Sequence, residues 1–316
     1  MQEITIDYSD CAAQAPFPPS QGDISHKVKS TFKSSKVVTR PYWQKTVSKK
    51  LPGPDKSTTT CHLYFEIPDS IGPPVYMYYR LTNFYQNHRR YVQSLDLSQL
   101  SGDAVSITAM EKSKCDPLRT DPASGKPYYP CGLIANSQFN DSISSPVQLT
   151  SHTNTTYEMS RKGIAWSSDK ELFQTTKYTP DQVVPPPNWH DRYPYGYNEQ
   201  YPIPDLHNDE DFMVWMRTAG LPDFSKLSKK NEDAPMTAGI YRLDIDDCMS
   251  DTNALTWSPA KLALRFSCYG VQWYQVNSHI YSDCYWWQEP FHGDCLRYCR
   301  GYLHCSWSTF HGCLLS

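Results

Sequence analysis

No run of about 18–20 apolar residues occurs in this 316-residue sequence, so no segment has what a membrane-spanning helix needs. It has no strong charge of one sign either. Thirty basic side chains against 33 acidic ones leave −3, which gives no global field for a nucleic-acid partner. The stretch Met1 to Asp10 is polar and acidic, unlike a signal or transit peptide. A Gly-x-Ser-x-Gly elbow, a phosphate-binding glycine loop and a His-Glu-x-x-His motif are all missing. These gaps remove the sequence signatures of the common hydrolases, nucleotide binders and zinc proteases.

What is plentiful is proline (25) and tyrosine (23), with Ser, Thr, Asn and Asp scattered throughout. That balance points to a loop-rich, mainly β (α+β) domain and away from a helical bundle. The length suits one large domain or two ordinary ones, with ample residues for a core.

The eleven cysteines are uneven. Cys11, Cys61, Cys115 and Cys131 are spread over the first 247 residues, while seven crowd the last 69. The even early set sits with two glycosylation sequons, Asn140-Asp-Ser and Asn154-Thr-Thr, and together they indicate a lumenal or extracellular setting.

Residues 12–58 are rich in Lys, Pro and Ser. Lys27, Lys29, Lys33, Lys36, Arg40, Lys45, Lys49 and Lys50 all precede the next acid after Asp23. A patch for anionic headgroups or an acidic partner is one reading; a solvated loop is the expectation, because no interleaved aromatics or helical period accompany the charges. From Thr60 to Ile67, Cys61, Leu63, Phe65 and Ile67 alternate as in a half-buried strand. After Gly72-Pro73-Pro74, the spacing of Leu81, Phe84, Tyr85, His88, Tyr91, Val92 and Leu95 predicts a helix. A second helix is predicted over 209–219, capped by Asn208, with Asp209, Glu210 and Asp211 at its positive end and Gly220 and Pro222 stopping it.

Candidate chemistry is sparse. His190-Asp191 beside Trp189 could form a catalytic pair, and His207 with Asp205 and Asp209 a metal cluster, but no supporting motif accompanies either. Asp244, Asp246 and Asp247 could serve glycoside hydrolysis only with a partner carboxylate across a cleft. The expectation is no catalytic residue, no metal and no cofactor.

Five blocks in order resemble the Cdc50/Lem3 family over residues 1–247. They are Tyr78–Val92 (YYRLTNFYQNHRRYV); Cys115-Asp-Pro with Tyr129–Ser137 (YPCGLIANS) and Phe139-Asn-Asp; Ile164-Ala-Trp; Pro187-Asn-Trp; and Glu210–Pro222 (EDFMVWMRTAGLP). The resemblance implies an exoplasmic domain with an antiparallel β-sandwich-like core, helical insertions and long Pro-rich loops. It implies a non-catalytic subunit of a phospholipid-flipping P4-ATPase, in membranes of the secretory pathway, supporting the ATPase's stability, exit from the endoplasmic reticulum and phospholipid translocation. It also implies disulfides Cys11–Cys61 and Cys115–Cys131, and a glycan at Asn140, with Asn154 the second candidate. Arg89 and Arg90 would form internal ion pairs, which is the expectation, or face the ATPase or lipid headgroups. A lumenal carbohydrate-binding or glycan-acting β domain is the alternative reading.

Two departures stand out. The family's first membrane helix would precede Met1, whose following residues resemble the segment just after it; this points to an N-terminally truncated form. After Asp247 the resemblance ends in a Cys/His/Trp-rich tail, 248–316. Zinc at Cys295, Cys299, Cys305 and Cys313 with His292, His304 and His311 is one reading, and a disulfide knot another. A frame error explains more. Read one base later, Trp286-Trp287 becomes Gly-Gly, and Gln288 to Phe291 can become Lys/Arg-Asn/Ser-Pro-Phe, the family's missing motif. His292 to Cys313 can then become an apolar run of about 22 residues, long enough to span a bilayer. A retained intron near Cys248 would produce such a tail, which would have no fold of its own.

Overall fold

The computed structural model describes residues 2–13, 20–32, 39–49, 57–246 and 261–267. Two antiparallel sheets form its frame. Sheet A runs β10 (Phe224–Asn231), β6 (Val75–Thr82), β12 (Lys261–Ser267), β1 (Glu3–Asp7), β3 (Val28–Ser30). Sheet B runs β2 (Ser20–Asp23), β4 (Tyr42–Lys49), β5 (Ser57–Ile67), β11 (Gly239–Asp246), β8 (Val147–Leu149), β9 (Thr155–Thr156), with β7 (Ser142–Ile143) also on β11.

The sandwich follows from alternation. Cys61, Leu63, Phe65 and Ile67 of β5 are fully buried, and so are Leu63's and Phe65's partners on β11, Leu243 and Tyr241. Val75, Met77, Tyr79 and Leu81 of β6 line the same core as Ile4 and Ile6 of β1. Period-2 burial on both sheets closes one face of each against the other. Cys11 in α1 (Ser9–Ala13) joins Cys61 of β5, with their Cα atoms 6.1 Å apart, tying the first helix to sheet B inside this core.

Two expectations need correction. The helix predicted over 81–95 is mostly absent: residues 75–82 are a strand, and only α2 (Arg89–Gln93) is helical. Leu81 belongs to the alternating set of β6, and Asn83 then takes the left-handed conformation at φ 61° and turns the chain away. Tyr85 and Val92 are consequently exposed and do not form a buried stripe. The Lys-rich stretch 12–58 is not wholly a loop, since β2, β3, β4 and the start of β5 lie in it. Lys45 of that stretch is only 1% exposed, and its ammonium donates to the carbonyl of Cys11 at 3.0 Å. Residues 261–267 add β12, in register with β1 (Glu3↔Ser267) and β6 (Lys261↔Thr82). Leu262, Leu264 and Phe266 alternate with Ala263 and Arg265, a period-2 pattern that fits between two strands whose edges would otherwise stay open. The tail cysteines and histidines lie outside the described residues.

Candidate partner-facing surface

A helical cap sits between β6 and β10 in the chain, and the separate sequence blocks meet in it. Its centre is α5 (Leu133–Asn136), entered through Gly132 at φ 97°. The indole N–H of Trp189 donates to the Ala135 carbonyl at 3.0 Å, and that of Trp215 to Ile134 at 2.7 Å. Both indoles are buried, so each N–H needs such a partner. Gln99, at the end of α3 (Leu97–Leu100), is buried and bridges the Tyr128 carbonyl (2.9 Å) and the Cys131 N–H (2.8 Å). Cys131 is bonded to Cys115, next to Met110 of α4 (Ile107–Met110), so covalent and hydrogen-bonded links hold the same strip.

The helix predicted at 209–219 exists as α7, Glu210–Met216, shorter than expected. Asp209 caps it, accepting from the Phe212 N–H at 2.9 Å; Asn208 instead bonds Asp205. The helix stops early because the buried ammonium of Lys226 gathers the carbonyls of Val214, Trp215 and Arg217 at its C-terminal end. Its first turn is clamped to the segment around α6 (Ser167–Leu172). One oxygen of Glu210 accepts from the Ala165 N–H at 2.9 Å and the other from Lys170 at 2.7 Å. Burial works against the Glu210 charge, but these donors win and hold its carboxyl down at about 2. Arg217 closes the same corner, pairing with Asp169 at 2.8 Å and lying 4.0 Å over the Trp166 ring.

On this cap the turn after β6 is fastened to the segment after α7. The Phe84 N–H donates to Pro222 at 3.0 Å, the Asn87 amide to Gly220 at 3.0 Å, and the Ala219 N–H to the buried Gln86 side chain at 2.9 Å. These bonds fix the backbone and leave Tyr85 45% and Leu221 69% exposed. Arg89 and Arg90 open α2 beside them, both exposed. Neither makes an ion pair among the described residues, so the internal-pair expectation finds no partner there. Two cations in the first turn of a helix also oppose its dipole, so local helix stability does not account for them.

The other candidates resolve differently. His207 uses a ring nitrogen on the Phe173 carbonyl at 2.8 Å, and its backbone N–H donates to Asp205. His190 and Asp191 are exposed on a turn. Asp246 accepts from Thr60 at 2.6 Å, and Asp247 lies outside the described residues. Asp244 belongs to an arrangement the sequence did not announce. Thr46 meets His62 at 2.8 Å, His62 meets Asp244 at 2.7 Å, and Arg242 flanks the carboxylate at 3.1 Å. Burial works against the Asp244 charge, yet His62 and Arg242 hold its carboxyl below the usual range. The order resembles a catalytic triad, but it lies across β4, β5 and β11 on the side away from the core. The neighbouring backbone amides of these strands are engaged in the sheet ladder. It is a cross-strand polar ladder.

The comparisons with known proteins decide the family. Residues 1–250 match the model of the LEM3 (ligand-effect modulator 3) family / CDC50 family. The chain belongs to the LEM3/CDC50 family. It is 42% identical over 255 residues, 78% of this chain, to the phospholipid-transporting ATPase accessory subunit CDC50 of Chaetomium thermophilum, of which 63% is covered. To the accessory subunit CRF1 of Saccharomyces cerevisiae it is 43% identical over 246 residues, covering 78% of this chain and 60% of that one. The mouse cell cycle control protein 50A is 36% identical over 219 residues, 62% of this chain and 57% of the relative. The chain thus spans less than two thirds of each of these relatives.

Within this LEM3/CDC50 chain, both sequon asparagines are exposed, Asn154 just before β9 and Asn140 just before β7. Asn140 borders a polar cleft between sheet A and α7. Burial pushes the Asp211 carboxyl there upward, although Arg161 lies 3.3 Å away. Lys229 is brought inside by a β-bulge between Leu227 and Lys229, and burial, with Arg161 close by, lowers its ammonium to about 8. No helix among the described residues is long and apolar enough to cross a membrane.

Proposed function

We propose that this chain forms the exoplasmic domain of an accessory, non-catalytic subunit of a P4-type phospholipid-transporting ATPase. The ATPase would carry the phosphoryl chemistry and the lipid path; this domain would stabilise it, support its exit from the endoplasmic reticulum and face the lumen or exterior. One observation carries the reading beyond family membership: a hydrogen-bonded cap presents Tyr85, Leu221, Arg89 and Arg90 outward, a rigid aromatic and cationic set of the kind that anchors protein interfaces. The disulfides, and glycans at Asn140 and Asn154, belong to the same lumenal setting.

Co-expression of the full-length protein with a P4-type ATPase and affinity capture tests this. The ATPase is captured with the wild-type subunit, and Arg89→Ala with Arg90→Ala lowers the captured amount about tenfold, the loss expected for two interface cations worth together about 1.4 kcal/mol. Equal capture by the variant would remove these arginines from the interface, and no capture by the wild type would remove the subunit reading.

We further propose that 248–316 is an out-of-frame translation replacing the family's second membrane segment. Residues 261–267 then occupy a sheet position that the in-frame strand would take. Sequencing the mature transcript across the codons for residues 240–292 decides it: removal of a short intron near Cys248 supports the frame error, and the tail codons as written refute it.

A further inference from the structure

The cleft beside Asn140 has a volume of about 300 Å³, at the lower end of the range for small-ligand sites. Tyr79 of β6 and Ser228 of β10 line it from sheet A, Trp215 and Asp211 from α7, and Arg161 and Arg192 from the neighbouring loops. Asn140 itself lies on its border, exposed, within the sequon Asn140-Asp141-Ser142.

Building on the glycosylation proposed above, we propose that this cleft seats the first N-acetylhexosamine of a glycan attached to Asn140. Three observations point to that occupant. Attachment at the border makes docking intramolecular, with an effective concentration on the order of millimolar for so short a tether, so weak contacts suffice. The cleft is polar with mixed charge: Asp141, Asp209 and Asp211 line it together with Arg161 and Arg192, and Arg161 pairs with Asp211 at 3.3 Å. A phosphate would meet three carboxylates and a cation two guanidinium groups, whereas a neutral ring bearing hydroxyls and an acetamide can use both kinds of partner. The guanidinium groups are loosely engaged, with Arg161 3.3 Å from Asp211 and 3.5 Å from the Ile143 carbonyl, and Arg192 3.5 Å from Gln138. They retain donors for a ligand. The third observation is the wall. Half-buried Phe139 is stacked on the buried Tyr79 ring with centroids 4.2 Å apart, and Phe139 gives a small aromatic surface for the C–H face of a sugar.

A seated first sugar shields its own linkage, and Asn154 supplies an internal control because it is exposed and outside the cleft. The experiment uses the full-length glycoprotein from a glycosylating host, treated with a peptide-N-glycosidase, with release at each site followed by peptide mass spectrometry. In the native protein, Asn140 is expected to be deglycosylated at least about tenfold more slowly than Asn154, the protection given by about 1.4 kcal/mol of docking. After denaturation the two rates converge. Arg192→Ala, which removes a cleft donor and leaves the sequon intact, raises the native rate at Asn140 and leaves that at Asn154 unchanged. Equal native rates at the two sites, or a ratio unmoved by Arg192→Ala, would overturn the docking while the glycosylation reading stands. An unmodified Asn140 in the peptide map would overturn both.

Discussion

Glu210→Gln removes one negative charge from the first turn of α7 while keeping the side chain's size. The carboxylate is 11% exposed, and it joins the Ala165 N–H to the Lys170 ammonium. Its carboxyl titrates at about 2 in place of the ordinary 4.5. That gap of about 2.5 units corresponds to about 3 kcal/mol of stability linked to ionisation. The value is an upper figure, because Lys170 is 43% exposed and partly screened by solvent. The sign is that of a depressed acid. The contribution is complete above pH 4.5 and is lost as pH falls through about 2, where both states carry the proton. Urea denaturation of wild type and variant, followed by tryptophan fluorescence, reads the difference because Trp166 and Trp215 flank the clamp. At pH 7 the variant should be less stable by about 2–3 kcal/mol, and the gap should narrow below pH 4.5 and close near pH 2. A gap of constant size over that range would refute the electrostatic clamp and leave packing as the cause.

The cap makes two further demands. Gly132 sits at φ 97° with a Cβ position 2.0 Å from the Ser94 carbonyl oxygen, so Gly132→Ala should cost more than about 3 kcal/mol in a denaturant melt. Gly125, at φ 69° with open space around it, provides the contrast: Gly125→Ala should cost only about 1 kcal/mol, and equal losses would contradict the steric account. The disulfides differ in the loops they close, with sequence separations of 50 for Cys11–Cys61 and 16 for Cys115–Cys131. Paired Cys→Ala replacement should therefore cost about 4 and about 3 kcal/mol respectively, read as shifts in urea midpoint at constant slope.

Alternation was readable where one face of a strand is buried and the other is not. Cys61 to Ile67 shows it, and β5 is the result. The same rule applied to Val75, Met77, Tyr79 and Leu81 gives β6, but the apolar spacing from Leu81 to Leu95 also fits a helix. Only pairing with β10 and β12 settles that conflict, because hydrogen bonds to distant strands leave no trace in local spacing. The start of α7 was legible to within a residue, since Asp209, Glu210 and Asp211 suit a helix N-terminus. Its end was not, because Lys226, which gathers the terminal carbonyls, arrives from β10.

The candidate surface divides in the same way. The sequence marked Tyr78–Val92 and Glu210–Pro222 as separate blocks, with Arg89 and Arg90 open to two roles. That the two blocks are fastened through Gln86, Asn87 and Phe84, leaving the arginines outside, is a tertiary fact. Likewise the sequon at Asn140 is a local pattern, whereas the cleft beside it exists only because α7 packs over Tyr79 and Ser228. The sequence alone determined family, class and sequons, which depend on residue type and short-range order. The tertiary structure decided which polar groups are paired and which face solvent, because pairing depends on distances between segments as far apart as His62 and Asp244.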